Sequence, residues 1–219
     1  MSVSLCVLSA LLAADPVVVS ASAPEITEQT IGGVVAPAVM PRGSTSLYAM
    51  LGAPDIGGGF RQGFSSVEFE ARLLFNYLEA SGLLEGGVRF SAWRQGIVEL
   101  APNLALGVAG NSGSTYYDRA NFAYVALRPR AGLITTVKLS DLVVGIAQLD
   151  IPWAIALTNG GAGGQFTPTV GAGAEVHLGG LLSGLVMGQI GADVIKEPLG
   201  VTQVRVAWGV RLGLGFRLF

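Results

Sequence analysis

VTQVRVAWGVRLGLGFRLF, residues Val201–Phe219, sorts its side chains at a period of two. Val204, Val206, Trp208, Val210, Leu212, Leu214, Phe216 and Leu218 share one face of an extended strand. Gln203, Arg205, Arg211 and Arg217 share the other with Ala207, Gly209, Gly213 and Gly215. Wound as a helix, the segment would scatter both sets around its axis. Bulky apolar residues on one face and small or charged ones on the other suit the wall of a transmembrane β-barrel, where lipid meets one face and a narrow interior the other. The row from Val204 to Leu218 is therefore expected to be lipid-facing.

The same rule recurs upstream. Val67, Phe69, Ala71, Leu73, Phe75 and Tyr77 oppose Glu68, Glu70, Arg72 and Asn76, and Leu84, Val88 and Phe90 oppose Glu85, Arg89 and Ser91. Val98, Leu100, Leu104, Leu106 and Val108 oppose Glu99, Asn103 and Gly107. Val125, Leu127, Leu133 and Val137 oppose Arg128, Arg130, Thr136 and Lys138, with Pro129 marking a bulge or an irregular point. Leu149, Ile151, Trp153 and Ile155 oppose Gln148 and Asp150, and Val170, Val176 and Leu178 oppose Gly171, Gly173, Glu175 and His177. Leu182 to Ile195 alternates less cleanly, with Gln189 and Asp193 on the inner row beside Leu185 and Met187. Ser65 to Ala80 also fits a helical stripe behind a capping box, but the alternation from Val67 to Arg72 favours a strand.

Composition agrees with a membrane wall. The 219 residues are 51% hydrophobic and 13% charged, and the mean hydropathy is +0.57, whereas an average soluble domain is about 25% charged. Gly, Pro or a charge interrupts every apolar run before it reaches the ~20 residues of a spanning helix, leaving a closed barrel as the structure able to satisfy its backbone in lipid. A lipocalin-like soluble barrel would point its bulky apolar rows inward. Here the polar rows are rich in Gly and Ala, which suits a narrow interior shared with Arg and Glu. The net charge of −2, without a basic block, gives no sign of nucleic-acid binding.

Residues 1–23 read as a signal peptide, with a short apolar run from Val3 to Ala14 and small residues at two cleavage points, although no Lys or Arg precedes the run. Cys6 falls within that segment. Residues 24–43, rich in Pro, Gly and Thr, read as a linker or a tether at the periplasmic mouth, and 44–219 as the barrel. Ala53 to Gly63, Gly110 to Ala120 and Thr158 to Gly164 read as long loops; Glu79 to Gly82, Leu139 to Asp141 and Gly179 to Leu181 read as tight turns. Nine strands result, counting Ser44 to Gly52, but a barrel with both termini on one side needs an even number. The length after the linker favours eight. Ten is the alternative, with Val34 to Met40 as a weak extra strand.

The export signal, the alternating strands and the aromatic end in Gly215-Phe216-Arg217-Leu218-Phe219 resemble the small outer-membrane β-barrel proteins of Gram-negative bacteria, of the OmpA/OmpX barrel type. One departure is that Phe219 falls in phase with Arg217 rather than with the apolar row. The resemblance implies residence in the cell outer membrane, contact with outer-membrane lipid, and recognition of the last strand by the barrel assembly machinery.

The inner rows carry seven acids (Glu68, Glu70, Glu85, Glu99, Asp150, Glu175, Asp193) and eight bases (Arg72, Arg89, Arg128, Arg130, Lys138, Arg205, Arg211, Arg217), with His177 among them. A selective pore calls for an excess of one sign; near balance in a narrow interior predicts interlocked ion pairs and a plugged lumen. The expected role is structural or surface interaction, with Tyr116, Tyr117, Asp118 and Arg119 as exposed loop contacts. A narrow pore is the alternative. An outer-membrane lipid hydrolase using His177, Glu175 and Ser183 is a weaker one, because those residues point inward while lipid lies outside. No metal site can be assembled from one His and one Cys, and no cofactor is expected; Gly57-Gly58-Gly59 lacks the following Lys and helix of a phosphate loop.

Overall fold

The structure, a computed structural model, describes residues 32–116, 121–158, 161–197, 200 and 202–218. The expected signal peptide lies outside the described residues, as do 24–31 of the expected linker, the loop residues Tyr117, Asp118 and Arg119, and Phe219.

Among the described residues every regular element is a strand: β1 (Thr45–Ala53), β2 (Asp55–Gly63), β3 (Val67–Asn76), β4 (Ser81–Phe90), β5 (Trp93–Gln95), β6 (Val98–Ser112), β7 (Ala123–Lys138), β8 (Val143–Thr158), β9 (Gly161–Phe166), β10 (Thr169–Gly179), β11 (Leu182–Lys196) and β12 (Thr202–Arg217). All pairings are antiparallel. β1 meets β12 from Ser46↔Arg217 to Ala53↔Val210, which closes the sheet into a barrel with no free edge.

Two staves of the barrel are each made of two strands. Arg89 of β4 faces Asn103 while Trp93 of β5 faces Leu100, so Ser91 and Ala92 accommodate one extra residue as a bulge in a single stave. Phe166 of β9 faces Trp153 and Thr169 of β10 faces Asp150, so that stave keeps its register and is merely interrupted at Pro168. Pro129 acts in the same way: Leu127↔Ile155 and Arg130↔Pro152 preserve one register across it, without a bulge.

The barrel therefore has ten staves rather than eight. The extra stave is β2, which lies in the stretch expected as a long loop, and not Val34 to Met40, which forms no strand. Asp55, Gly57, Gly59, Arg61 and Gly63 make its inner row, following the same small-or-charged rule, but Gly58 on the outer row hides the alternation. Gly59 has a packing reason, since a Cβ there would collide with the Tyr48 hydroxyl.

The alternation expected from sequence sets the two faces of the wall. All eight residues of the Val204–Leu218 row point outward, from 36% exposed at Leu218 to 71% at Val204. Leu51, Leu73, Leu84, Val125, Leu157 and Val186 continue this apolar outer surface around the barrel. Val67–Asn76 is strand and not helix. The interior holds the charged rows together with an apolar cluster of Tyr48, Met50, Ile134, Leu185 and Met187. The turns at 64–66, 96–97, 139–142 and 180–181 lie at the end where β1 begins and β12 finishes, here the terminal end. The turns at Pro54 and 77–80 and the described residues 113–116 and 121–122 lie at the opposite, loop end.

Candidate functional site

Glu175, on the inner row of β10, is fully buried, and a carboxylate so placed must find several donors. It finds them on the chain preceding β1. Its Oε1 accepts from the backbone N–H groups of Gly33 (2.6 Å) and Val34 (2.8 Å) and from the Ser183 hydroxyl (2.6 Å); its Oε2 accepts from Val35 (2.9 Å) and Ala36 (2.8 Å). Four consecutive amides converging on one anion form a nest, which lets irregular backbone sit inside the barrel. Ser46 secures its first residue by donating to the Gly33 carbonyl at 2.6 Å. A Cβ on Gly33 would stand 2.7 Å from the same hydroxyl, so close approach requires glycine here.

A second anchor lies farther along the segment. Glu68 accepts from the Met40 N–H at 2.6 Å and is held by Arg61 in a fork, Nε to Oε1 at 2.7 Å and Nη2 to Oε2 at 2.8 Å, with both side chains wholly buried. Arg61 also donates to the carbonyls of Ala36 (3.1 Å) and Pro37 (2.7 Å), and Arg89 donates to that of Val35 (3.2 Å) and to Glu70 Oε2 (2.8 Å). Tyr48 donates to Glu70 Oε1 at 2.5 Å. Five N–H groups and four carbonyls of residues 33–40 are thus bonded to inward side chains of the wall. Leaving one such buried group unmet costs about 1–3 kcal/mol.

Above this segment a second network crosses the barrel. Arg130 reaches Glu85 (2.8 Å), Asp150 (2.7 Å) and the Asn103 side-chain oxygen Oδ1 (2.9 Å), Arg72 lies 2.8 Å from Glu85, and Gln148 donates to Asp150. Nearer the loop end, Arg205 bridges Asp193 (2.8 Å) and Glu79 (2.7 Å), and Gln165 and Thr167 also donate to Asp193. Arg211 pairs more loosely with Asp55 at 3.3 Å.

Most of the expected lumen network is thus brought together: Glu68, Glu70, Arg72, Glu85, Arg89, Arg130, Asp150 and Glu175 in the lower and middle interior, with Asp193, Arg205 and Arg211 nearer the loop end. Glu99 and Lys138 stand apart, because the last inner position of a stave lies at the rim: Glu99 pairs with the exposed Arg94, and Lys138 with Asp141 of the adjoining turn. Arg217 lies beside Met40, its Nη2 3.6 Å from the Met40 sulfur. His177 faces Ser183 across the β10–β11 ladder, but the Ser183 hydroxyl is committed to Glu175 and is buried. Arg128 points inward without an ion pair among the described residues. Arg61, Asp55, Tyr48, Ser46 and the segment 33–40 were missed by sequence reasoning. Parity along β2 carried the signal for Arg61 and Asp55; nothing in the Pro- and Gly-rich stretch before β1 marks it as an interior segment.

The interior holds a narrow space and a wider one. Between Val34, Val35 and the Arg72–Arg130 level only about 20 Å³ is free, roughly room for one water. A larger cavity of about 350 Å³ runs from Pro54, Leu78 and Glu79 at the loop end down to Arg130 and Asp150. Chemically, the arrangement fixes the segment inside the terminal half of the barrel and leaves a charged cup in the other half. The described residues contain no group of three or more His, Cys, Asp or Glu side chains placed to hold a metal ion. The chain matches no family model and no curated protein.

Proposed function

We propose that the chain is an integral outer-membrane β-barrel protein, similar in kind to the small OmpA/OmpX-type barrels but with ten staves, whose lumen is plugged by its own residues 33–40. Its role on this reading is structural or in surface interaction, without catalysis or cofactor. The observation that carries it is the anchoring of that segment: nine main-chain polar groups meet inward side chains, and the ion pairs around them leave no excess of one charge. In lipid, irregular backbone is tolerated where protein buries it, and the staves enclosing this segment carry an apolar outer surface suited to outer-membrane lipid. With the barrel inserted by the assembly machinery and its termini periplasmic, the loop end faces outward. The stretch around the exposed Tyr116 then offers the surface for a ligand.

The large loop-end cavity favours one further reading, a narrow pore, which requires the segment to leave the barrel. The hydrolase reading gains no such support, since the Ser183 proton is held by Glu175.

The membrane part of the proposal is tested on the outer wall. Val210 lies near the middle of β12 and is half exposed. Val210→Arg should destabilise the barrel refolded in lipid vesicles by about 2–4 kcal/mol, because a charge must then sit against hydrocarbon. A wall facing water would register less than about 0.5 kcal/mol in the same denaturant titration, and that result would overturn membrane residence.

A further inference from the structure

We infer that the cavity at the loop end is a binding site for a small solute carrying one oxyanion, a carboxylate or a phosphate, gripped by Arg128. The inference rests on the plugged-barrel reading for the side of entry, since a solute reaches the cup only from the loop end while residues 33–40 close the other.

Five arginines line the cavity. Four of them meet a carboxylate: Arg72 meets Glu85, Arg130 meets Glu85 and Asp150, Arg205 meets Asp193 and Glu79, and Arg211 meets Asp55. Arg128 is the exception. Its cross-strand neighbour on β6 is Gly107, so no side chain there can answer it. It makes no hydrogen bond or ion pair among the described residues.

A guanidinium pointed into a confined space needs an anionic partner, and its planar fork matches the paired oxygens of a carboxylate or phosphate. The neighbouring acids are already shared among the other arginines, so the partner must come from solution. The remaining lining suits a small organic body: Leu74, Leu83 and Pro152 offer apolar contact, while Gln189 and Thr169 offer polar groups. A volume of about 350 Å³ lies at the lower end of small-molecule sites, about 300–1,000 Å³.

Equilibrium dialysis of the refolded full-length protein at low ionic strength, with radiolabelled inorganic phosphate and radiolabelled succinate as probes, tests the site. The expected result is one saturable site per chain for at least one probe. Affinity should fall at least about tenfold in Arg128→Met, fall less in Arg128→Lys, and stay unchanged in Arg94→Met at the opposite rim. Heat-dependent gel migration reports whether each variant folds; should Arg128→Met not fold, Arg128→Lys decides, with a drop of at least about threefold expected. Absence of saturable binding by both probes, or binding that Arg128 substitution leaves unchanged, overturns the inference. Channel recordings report separately on the plug, so a conducting barrel with an intact Arg128-dependent site would contradict the plugged lumen and not this site.

Discussion

Replacing Glu175 with alanine lowers the stability of the folded barrel by about 3–5 kcal/mol, the range for removing one partner from a buried charged constellation. The alanine leaves four backbone N–H groups and the Ser183 hydroxyl inside the wall without their acceptor. Water entering the vacated space offsets part of the loss, which keeps the figure below the sum of five separate penalties. Glu175→Gln separates charge from volume. It fills the same space, but one carboxylate oxygen becomes an NH₂ group that points donors at donors, so glutamine should recover less than half of what alanine loses. Denaturant unfolding in lipid vesicles, followed by tryptophan fluorescence, measures both variants. A loss under about 1 kcal/mol in each would mean that the carboxylate does not hold the segment.

Arg61→Met should cost a similar amount, again about 3–5 kcal/mol, because Arg61 and Glu68 are both wholly buried. Its removal leaves Glu68 with the Met40 N–H and a distant Arg89 at 3.5 Å, and strips the Ala36 and Pro37 carbonyls of their donor. Methionine retains most of the aliphatic bulk, so the loss reports polar pairing more than packing. The Arg61→Met/Glu68→Met double variant should lose less than the two single variants combined, with a coupling of about 1–3 kcal/mol. Arg94→Met, removing a half-exposed partner of Glu99 at the rim, should change stability by less than about 1 kcal/mol. Additive losses at Arg61 and Glu68 would show that the fork is not a unit.

What was legible beforehand follows from the period of a strand. Wherever bulky and small or charged residues alternate without interruption, as in Thr202–Arg217 or Val67–Asn76, parity alone assigns each side chain to a face, and the structure agrees. β2 escaped because its outer row places Gly58 between Ile56 and Phe60, so that Gly57-Gly58-Gly59 looks like a loop. Missing β2 turned ten staves into a preference for eight and hid Arg61, the most enclosed cation of the lower network. Parity also says nothing about height along the barrel, which is why Glu99 and Lys138 were grouped with the lumen charges although each meets a partner at the rim. Residues 33–40 were least legible of all. Their place is set by long-range bonds to Glu175, Glu68, Arg61 and Arg89, and a segment held through its backbone leaves little trace in its own side chains.

The central claim is that these bonds keep the lumen closed. Single-channel recording of the refolded protein in a planar bilayer tests it most directly, with heat-dependent gel migration showing that the protein is folded. The account predicts no discrete openings from the folded wild-type barrel; steady openings of uniform size would show that ions pass the segment at 33–40 and would contradict it.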